Sequence, residues 1–117
     1  MPVNVGNKMV SYFVSYRGES ADPAAFIEHY AGKHATLLAE LPGIRRLVVH
    51  TPIGWNDPFP VNRGNCLLLA QMTFDSLAAL DTALASEARA RARADFQRFP
   101  PFVGIVTHAA MLHKVCL

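Results

Sequence analysis

His34 is the side chain best placed to do chemistry. Phe26, Tyr30, His34, Leu37 and Leu41 recur at steps of four, four, three and four, one stripe of a helix turned toward a core. An imidazole on that stripe titrates near neutrality and can pass a proton to or from a bound carbonyl or enol. The same position also suits a core histidine hydrogen-bonded to backbone. Tyr30 lies one turn earlier and Tyr12 sits in the middle of a strand. A buried phenol can donate to an oxyanion, or it can be core with its hydroxyl at the edge.

Other groups are candidates at a distance. His50 closes a strand and either reaches a cavity mouth or anchors a loop. Asp95 can accept from a histidine, or pair with Arg91 four residues earlier. Trp55 and Phe59 lie in a long loop, where they would cap an apolar pocket or pack across an interface. Arg89, Arg91 and Arg93 alternate with alanine, which spreads charge around a helix and describes a solvated one rather than a nucleic-acid surface. Metal binding is not expected. His29 and His34 are five apart and fall on different faces of an α-helix, with His29 on the wet side beside Lys33, Thr36 and Glu40. His108 and His113 alternate out of phase on a strand. No HExxH or CxxC motif occurs, nor any GxGxxG or phosphate loop, so no cofactor is expected.

The elements that must position these groups are legible. Lys8 to Tyr16 is a strand of β-branched and aromatic residues. Asp22-Pro23 starts a helix that runs to about Glu40, before Leu41-Pro42-Gly43. Ile44 to Thr51 is a second strand, and Pro52 to Asn65 a loop long enough to be a lid or binding loop. Cys66 to Phe74 is a third strand. Asp75 or Ser76 caps a helix to about Ala85, Ser86 caps another from Glu87 to Arg98, and Pro100-Pro101 ends it. Phe102 to Val115 is the fourth strand. The order β-α-β-β-α-β predicts an α+β, ferredoxin-like domain over residues 1–117, core 8–115, with helices on one face of a four-stranded antiparallel sheet.

Composition adds a partner. Of 117 residues, 51% are hydrophobic and only 17% charged, against roughly 25% charged in typical domains. The strands carry apolar groups on both faces, so one sheet face would lie in water. Packing it against a second copy removes that cost, at roughly 25 cal/mol per Å². A sheet-on-sheet homodimer closing into an α/β barrel is therefore expected. The net charge of +2 gives no reason to expect nucleic acid. The longest stretch free of Asp, Glu, Lys and Arg, Phe99 to His113, holds Pro, Gly, Thr and two His and is too short for a membrane span, which needs about 20 apolar residues. No secretory pattern opens the chain. Cys66 and Cys116 suit a reduced, cytoplasmic protein in which both are small buried hydrophobes.

The set Phe26, Tyr30, Lys33-His34 and Leu41-Pro42-Gly43, followed by Phe74-x-Ser76-Leu77 and Asp95-x-x-x-Phe99, resembles the EthD family (ethyl tert-butyl ether degradation proteins) of the dimeric α/β-barrel superfamily, across about residues 8 to 115. The resemblance implies the dimeric barrel and a role beside oxygenase or degradation chemistry, with relatives described as reductases, cofactor-free isomerases, cyclases and monooxygenases. A related methylmuconolactone isomerase is similar at His34. It also uses a loop histidine and a strand cysteine, whereas Pro52 to Asn65 has no histidine here and the comparable strand position is Met72. The expected activity is binding of a small hydrophobic molecule, aromatic or lactone-like, with acid/base catalysis by His34 and positioning by Tyr30 or Tyr12. Trp55, Phe59, His50 and Asp95 are the substrate-binding candidates. The alternative is a non-catalytic accessory protein of an oxygenase system.

Overall fold

The computed structural model describes residues 8–117. Strand β1 (Val10–Ser20) leads into α1 (Pro23–His29), a π turn (Tyr30–His34) and α2 (Ala35–Leu38), which together form one helical rod. Strands β2 (Ile44–His50) and β3 (Cys66–Phe74) follow, then α3 (Leu77–Leu84), α4 (Glu87–Asp95), a 3-10 turn (Phe96–Arg98) and β4 (Phe102–Leu112). The sheet is antiparallel in the order β2-β3-β1-β4. This is the ferredoxin-like α+β arrangement.

Local chemistry sets the helix starts. The Asp22 carboxylate accepts from the Ala25 amide at 3.0 Å with Pro23 in the first turn. Ser76 accepts from the Ala79 amide and Ser86 from the Arg89 amide. Each side chain satisfies a backbone donor that the helix itself leaves unpaired.

Alternation divides the sheet. Val10, Tyr12, Val14 and Tyr16 of β1 share their face with Phe74, Met72, Ala70 and Leu68 of β3 and with Leu112, Ala110, His108 and Val106 of β4. The helices cover this face, and Tyr16, Phe26, Tyr30, Phe74, Leu68 and Leu80 form the centre of the core. The other face carries Phe13, Val48 and Leu69, half-buried, and Val103, Ile105 and Met111, which are 79%, 67% and 55% exposed.

Several sequence expectations change: β1 runs on past Tyr16 to Ser20, and β4 ends at Leu112 rather than Val115. The helix from Asp22 is not α-helical throughout. Its π turn takes up an extra residue, so the buried stripe runs Phe26, Tyr30, His34, Leu38, and Leu37 is only half-buried. Both cysteines are free and exposed rather than buried. Cys66 begins β3 at the sheet's end and Cys116 lies past β4, where neighbouring elements run out.

Candidate functional site

The helical rod and α4 stand over the sheet, and a pocket remains between them. Its floor is Tyr12, Val14, Tyr16, Met72 and Phe74 from the strands. Tyr30, His34, Leu38 and Leu41 form one wall, and Arg89, Ala92, Arg93 and Phe96 form the other. The cavity volume is about 50 Å³, space for roughly three or four waters. The lining is mostly apolar, with a few polar groups converging on it, which is the usual build of a small-molecule site.

The π turn explains how His34 is held. Hydrogen bonds in such a turn close from residue i to i+5, so residues five apart come onto one side. His29 and His34 are five apart. His29 Nε2 lies 2.9 Å from Asp95 Oδ2 and His34 Nδ1 lies 3.0 Å from the same oxygen. The expectation that His29 sits on the wet face, away from His34, is therefore corrected. Asp95 does not pair with Arg91, whose guanidinium lies 3.7 Å from Glu40. Asp95 is buried, and its Oδ1 has no partner among the described residues, so all of its hydrogen bonding falls on Oδ2.

Electrostatics decide the protonation states. Burial works to raise the Asp95 carboxyl, but the hydrogen bonds from His34 and His29 outweigh it and hold the group below the usual carboxylate range. Burial pushes His34 below its ordinary value, and Asp95 only partly restores it. At neutral pH this leaves an ionised Asp95 accepting from Nδ1–H of a neutral His34. The second nitrogen, Nε2, then carries a lone pair. It has no hydrogen-bond partner among the described residues and is not sealed in the core, on a ring that lines the pocket.

The neighbours reinforce this setting. Phe99 meets the His34 ring edge-on, at 4.7 Å between centroids, and also packs on His29. The Asp95-x-x-x-Phe99 spacing thus delivers an acceptor and an aromatic wall to the same two imidazoles. Tyr30 packs on His34 at 4.7 Å and on Tyr16 at 5.4 Å. Burial pushes Tyr16 up to about 12, with Tyr30 and Arg93 pulling it back, and burial together with Tyr16 raises Tyr30 further. Both phenols stay protonated and remain donors at any physiological pH.

The candidates divide by place. His34, Tyr30 and Tyr12 line the pocket. Asp95 sits behind His34 rather than on the pocket wall, and touches it through Nδ1. His50 projects on the opposite sheet face, 3.3 Å from Gln71 Oε1. Trp55 and Phe59 lie in the loop that follows β2. Trp55 stacks under Arg63 at 4.4 Å and faces a separate groove with His50, while Phe59 is exposed. None of these three lines the His34 pocket in the single chain. Tyr16, His29, Arg89, Arg93 and His108 belong to the site or its support without having been singled out for it. Tyr16 shares the strand parity of Tyr12, which was the available signal. His29 needed the π turn, which no sequence period announces. Among the described residues no group of three or more His, Cys, Asp or Glu is arranged to hold a metal ion.

Fold and pocket together define a ferredoxin-like α+β protein that encloses a small apolar chamber beside a carboxylate-anchored imidazole. A family model, described as the EthD domain, matches residues 18–100. The chain belongs to the EthD family. It is 38% identical over 79 residues, 68% of this chain and 73% of the other, to a Rhodococcus erythropolis protein described as an uncharacterized 11.0 kDa protein in the thcB–thcC intergenic region. A crystal structure of an EthD family protein from Bacillus halodurans superposes with a TM-score of 0.70 at 25% identity, covering 87% of this chain and 95% of that one. The monooxygenase from the gene ActVA-Orf6 of Streptomyces coelicolor, in complex with the ligand Nanaomycin D, shares the fold at 16% identity, with a TM-score of 0.65 over 100% of this chain and 97% of that one. A dimeric protein of ferredoxin-like fold from Bacteroides fragilis does so at 12%, with a TM-score of 0.62 over 89% and 95%. Among the described residues no helix is long and apolar enough to cross a membrane.

Proposed function

We propose that this EthD protein binds a small hydrophobic molecule, aromatic or lactone-like, between its sheet and helices, and that His34 moves a proton on it without a cofactor. The observation that carries the reading is the His34 ring itself. Asp95 holds Nδ1, and Nε2 is left unpartnered on a ring that lines an apolar pocket. That is the arrangement of a general base with its tautomer set from behind. Tyr30 or Tyr12 supplies a donor for the oxyanion that forms when a proton leaves carbon next to a carbonyl. A monooxygenase of this fold holding an organic ligand supports the binding half of the reading.

The test is solvent deuterium exchange. Unsaturated lactones and aromatic ketones are incubated in D2O, and loss of the proton α to the carbonyl is followed by NMR. The wild-type protein is expected to catalyse exchange on at least one of them. His34→Gln keeps an amide near Asp95 but removes the base, and lowers the rate by about 10²–10⁴-fold. Exchange that survives the substitution leaves only a binding protein and removes the catalytic reading.

The same proposal includes a homodimer formed sheet on sheet. The apolar outer face of β1 and β4, with Val103, Ile105 and Met111 in water, supports it, and it leaves the helix-side pocket uncovered. Ile105→Asp puts a charge in the middle of that face. It is expected to convert a sedimenting dimer into a single 12.8 kDa subunit. A wild-type chain that already sediments as one subunit contradicts the arrangement.

A further inference from the structure

We infer that the ligand of this pocket is an anion, a small ring bearing a carboxylate or phenolate, and that Arg89 and Arg93 hold its charge at the mouth. The inference rests on the reading of the pocket as the binding site, and names the substrate class that the site selects.

The geometry comes from the α4 sequence. Arg89, Ala92, Arg93 and Phe96 fall at steps of three, one and three, so they share one helix stripe, and all four line the pocket. The alternating Arg-Ala run therefore does not distribute charge evenly. Arg91 points the other way, toward Glu40. Arg89 and Arg93 face the pocket.

Neither pocket arginine is neutralised. The wall contains no carboxylate, and among the described residues neither guanidinium has an acidic partner within ion-pair distance. Arg89 spends two of its five donors on the Leu84 carbonyl at 3.3 Å and the Tyr12 hydroxyl at 3.4 Å, both long bonds. The Arg93 guanidinium makes no hydrogen bond to side chains or carbonyls among the described residues. His108 stands on the floor's edge, at 6.0 Å from Tyr12 between ring centroids. Burial, then Arg93 and Arg89, depress its basicity, so it is a neutral ring beside two fixed cations. The pocket thus has a neutral interior with a lone pair on His34, and a doubly positive rim. A guanidinium pair of this kind recognises a carboxylate in a planar fork and also stacks on an aromatic face. A neutral ligand leaves both charges uncompensated. With the anionic group at the rim, the ring fills the interior and its far edge meets His34.

The experiment compares benzoate with benzamide, a neutral molecule of the same shape. Each is titrated into the full chain at pH 7.5, and the imidazole resonances of His34 and His108 are followed by NMR. Benzoate is expected to bind at least tenfold more tightly than benzamide and to shift both rings. In Arg89→Met/Arg93→Met, benzoate loses at least tenfold in affinity and benzamide is unchanged within twofold. Arg91→Met, which removes the same charge from the other side of the helix, leaves benzoate binding within twofold. Circular dichroism establishes that each variant is folded, and Arg93→Met alone serves if the double variant is not. Equal binding of the two probes, or benzoate binding that survives both substitutions, overturns the anion assignment while leaving the pocket intact. Failure of both probes to bind or to move the His34 resonance overturns the pocket reading, and the anion assignment with it.

Discussion

Asp95→Asn is expected to destabilise the protein by about 3 kcal/mol, because it weakens two hydrogen bonds to a charged, buried acceptor. Both imidazoles rely on Oδ2. An asparagine can offer one neutral oxygen there, and its NH2 would then occupy the Oδ1 position, where no acceptor among the described residues is available. For a domain of this size about 4 °C is lost per kcal/mol, so the melting temperature falls by about 12 °C. The His34 ring also responds. Asp95 is what partly sustains its basicity, so in the variant His34 titrates lower still, which NMR can follow directly. A variant that melts with the wild type and leaves the His34 titration unmoved would mean that the carboxylate does not hold the ring.

The same network sets the pH dependence of stability. The folded state holds His34 below its ordinary value of 6.5. Between those two values the unfolded chain binds a proton that the folded one does not, so stability is full above 6.5 and declines as the pH drops through this window. Asp95 is held below its ordinary value of 3.8, so its contribution is present above 3.8 and is lost as the pH falls on through the folded value. The wild type should lose stability in two acid stages, and Asp95→Asn should lack the second. Melting curves between pH 8 and 3 check this.

Gly18→Ala and Gly104→Ala are each expected to cost at least about 3 kcal/mol, combining backbone strain with overpacking. The two glycines face each other across β1 and β4, with φ of 149° and 154°, a region that side-chain-bearing residues rarely adopt. A Cβ on Gly18 would lie 2.2 Å from the Val103 carbonyl oxygen, and one on Gly104 would lie 2.1 Å from that of Arg17. Both obstacles are backbone, so no side-chain rotation relieves them, and the two longest strands would have to part. Gly54→Ala, which meets nothing within 4 Å, should be neutral within about 0.5 kcal/mol. Denaturant melts of the three variants measure this. If alanine at residue 18 or 104 proved as harmless as at residue 54, the close crossing would not exist in solution.

How much of this was legible beforehand depends on the range of the interaction. Alternation in β1 and β3, the Asp22-Pro23 start, the serine caps and the glycine stop after Leu41-Pro42 are local. They act between residues one to four positions apart, so the amino-acid order alone determines the element succession and the place of His34 on the buried stripe. It also determines the excess of apolar strand surface that asks for a partner. The pairing of His34 with Asp95 joins residues 61 positions apart, and no local period encodes which carboxylate a histidine meets. An α-helical spacing puts His29 on the wet face, and the π turn brings it round to Asp95 instead. The loop from Pro52 to Asn65 looked like a lid because it is long and aromatic, yet its reach and direction follow from where β2 and β3 end. The arginines of α4 read as solvated because steps of two spread their charge around the helix axis. Only the packing of α4 over the sheet turned Arg89 and Arg93 to a common pocket and left Arg91 outside, since which side of a helix is buried depends on what the chain brings against it.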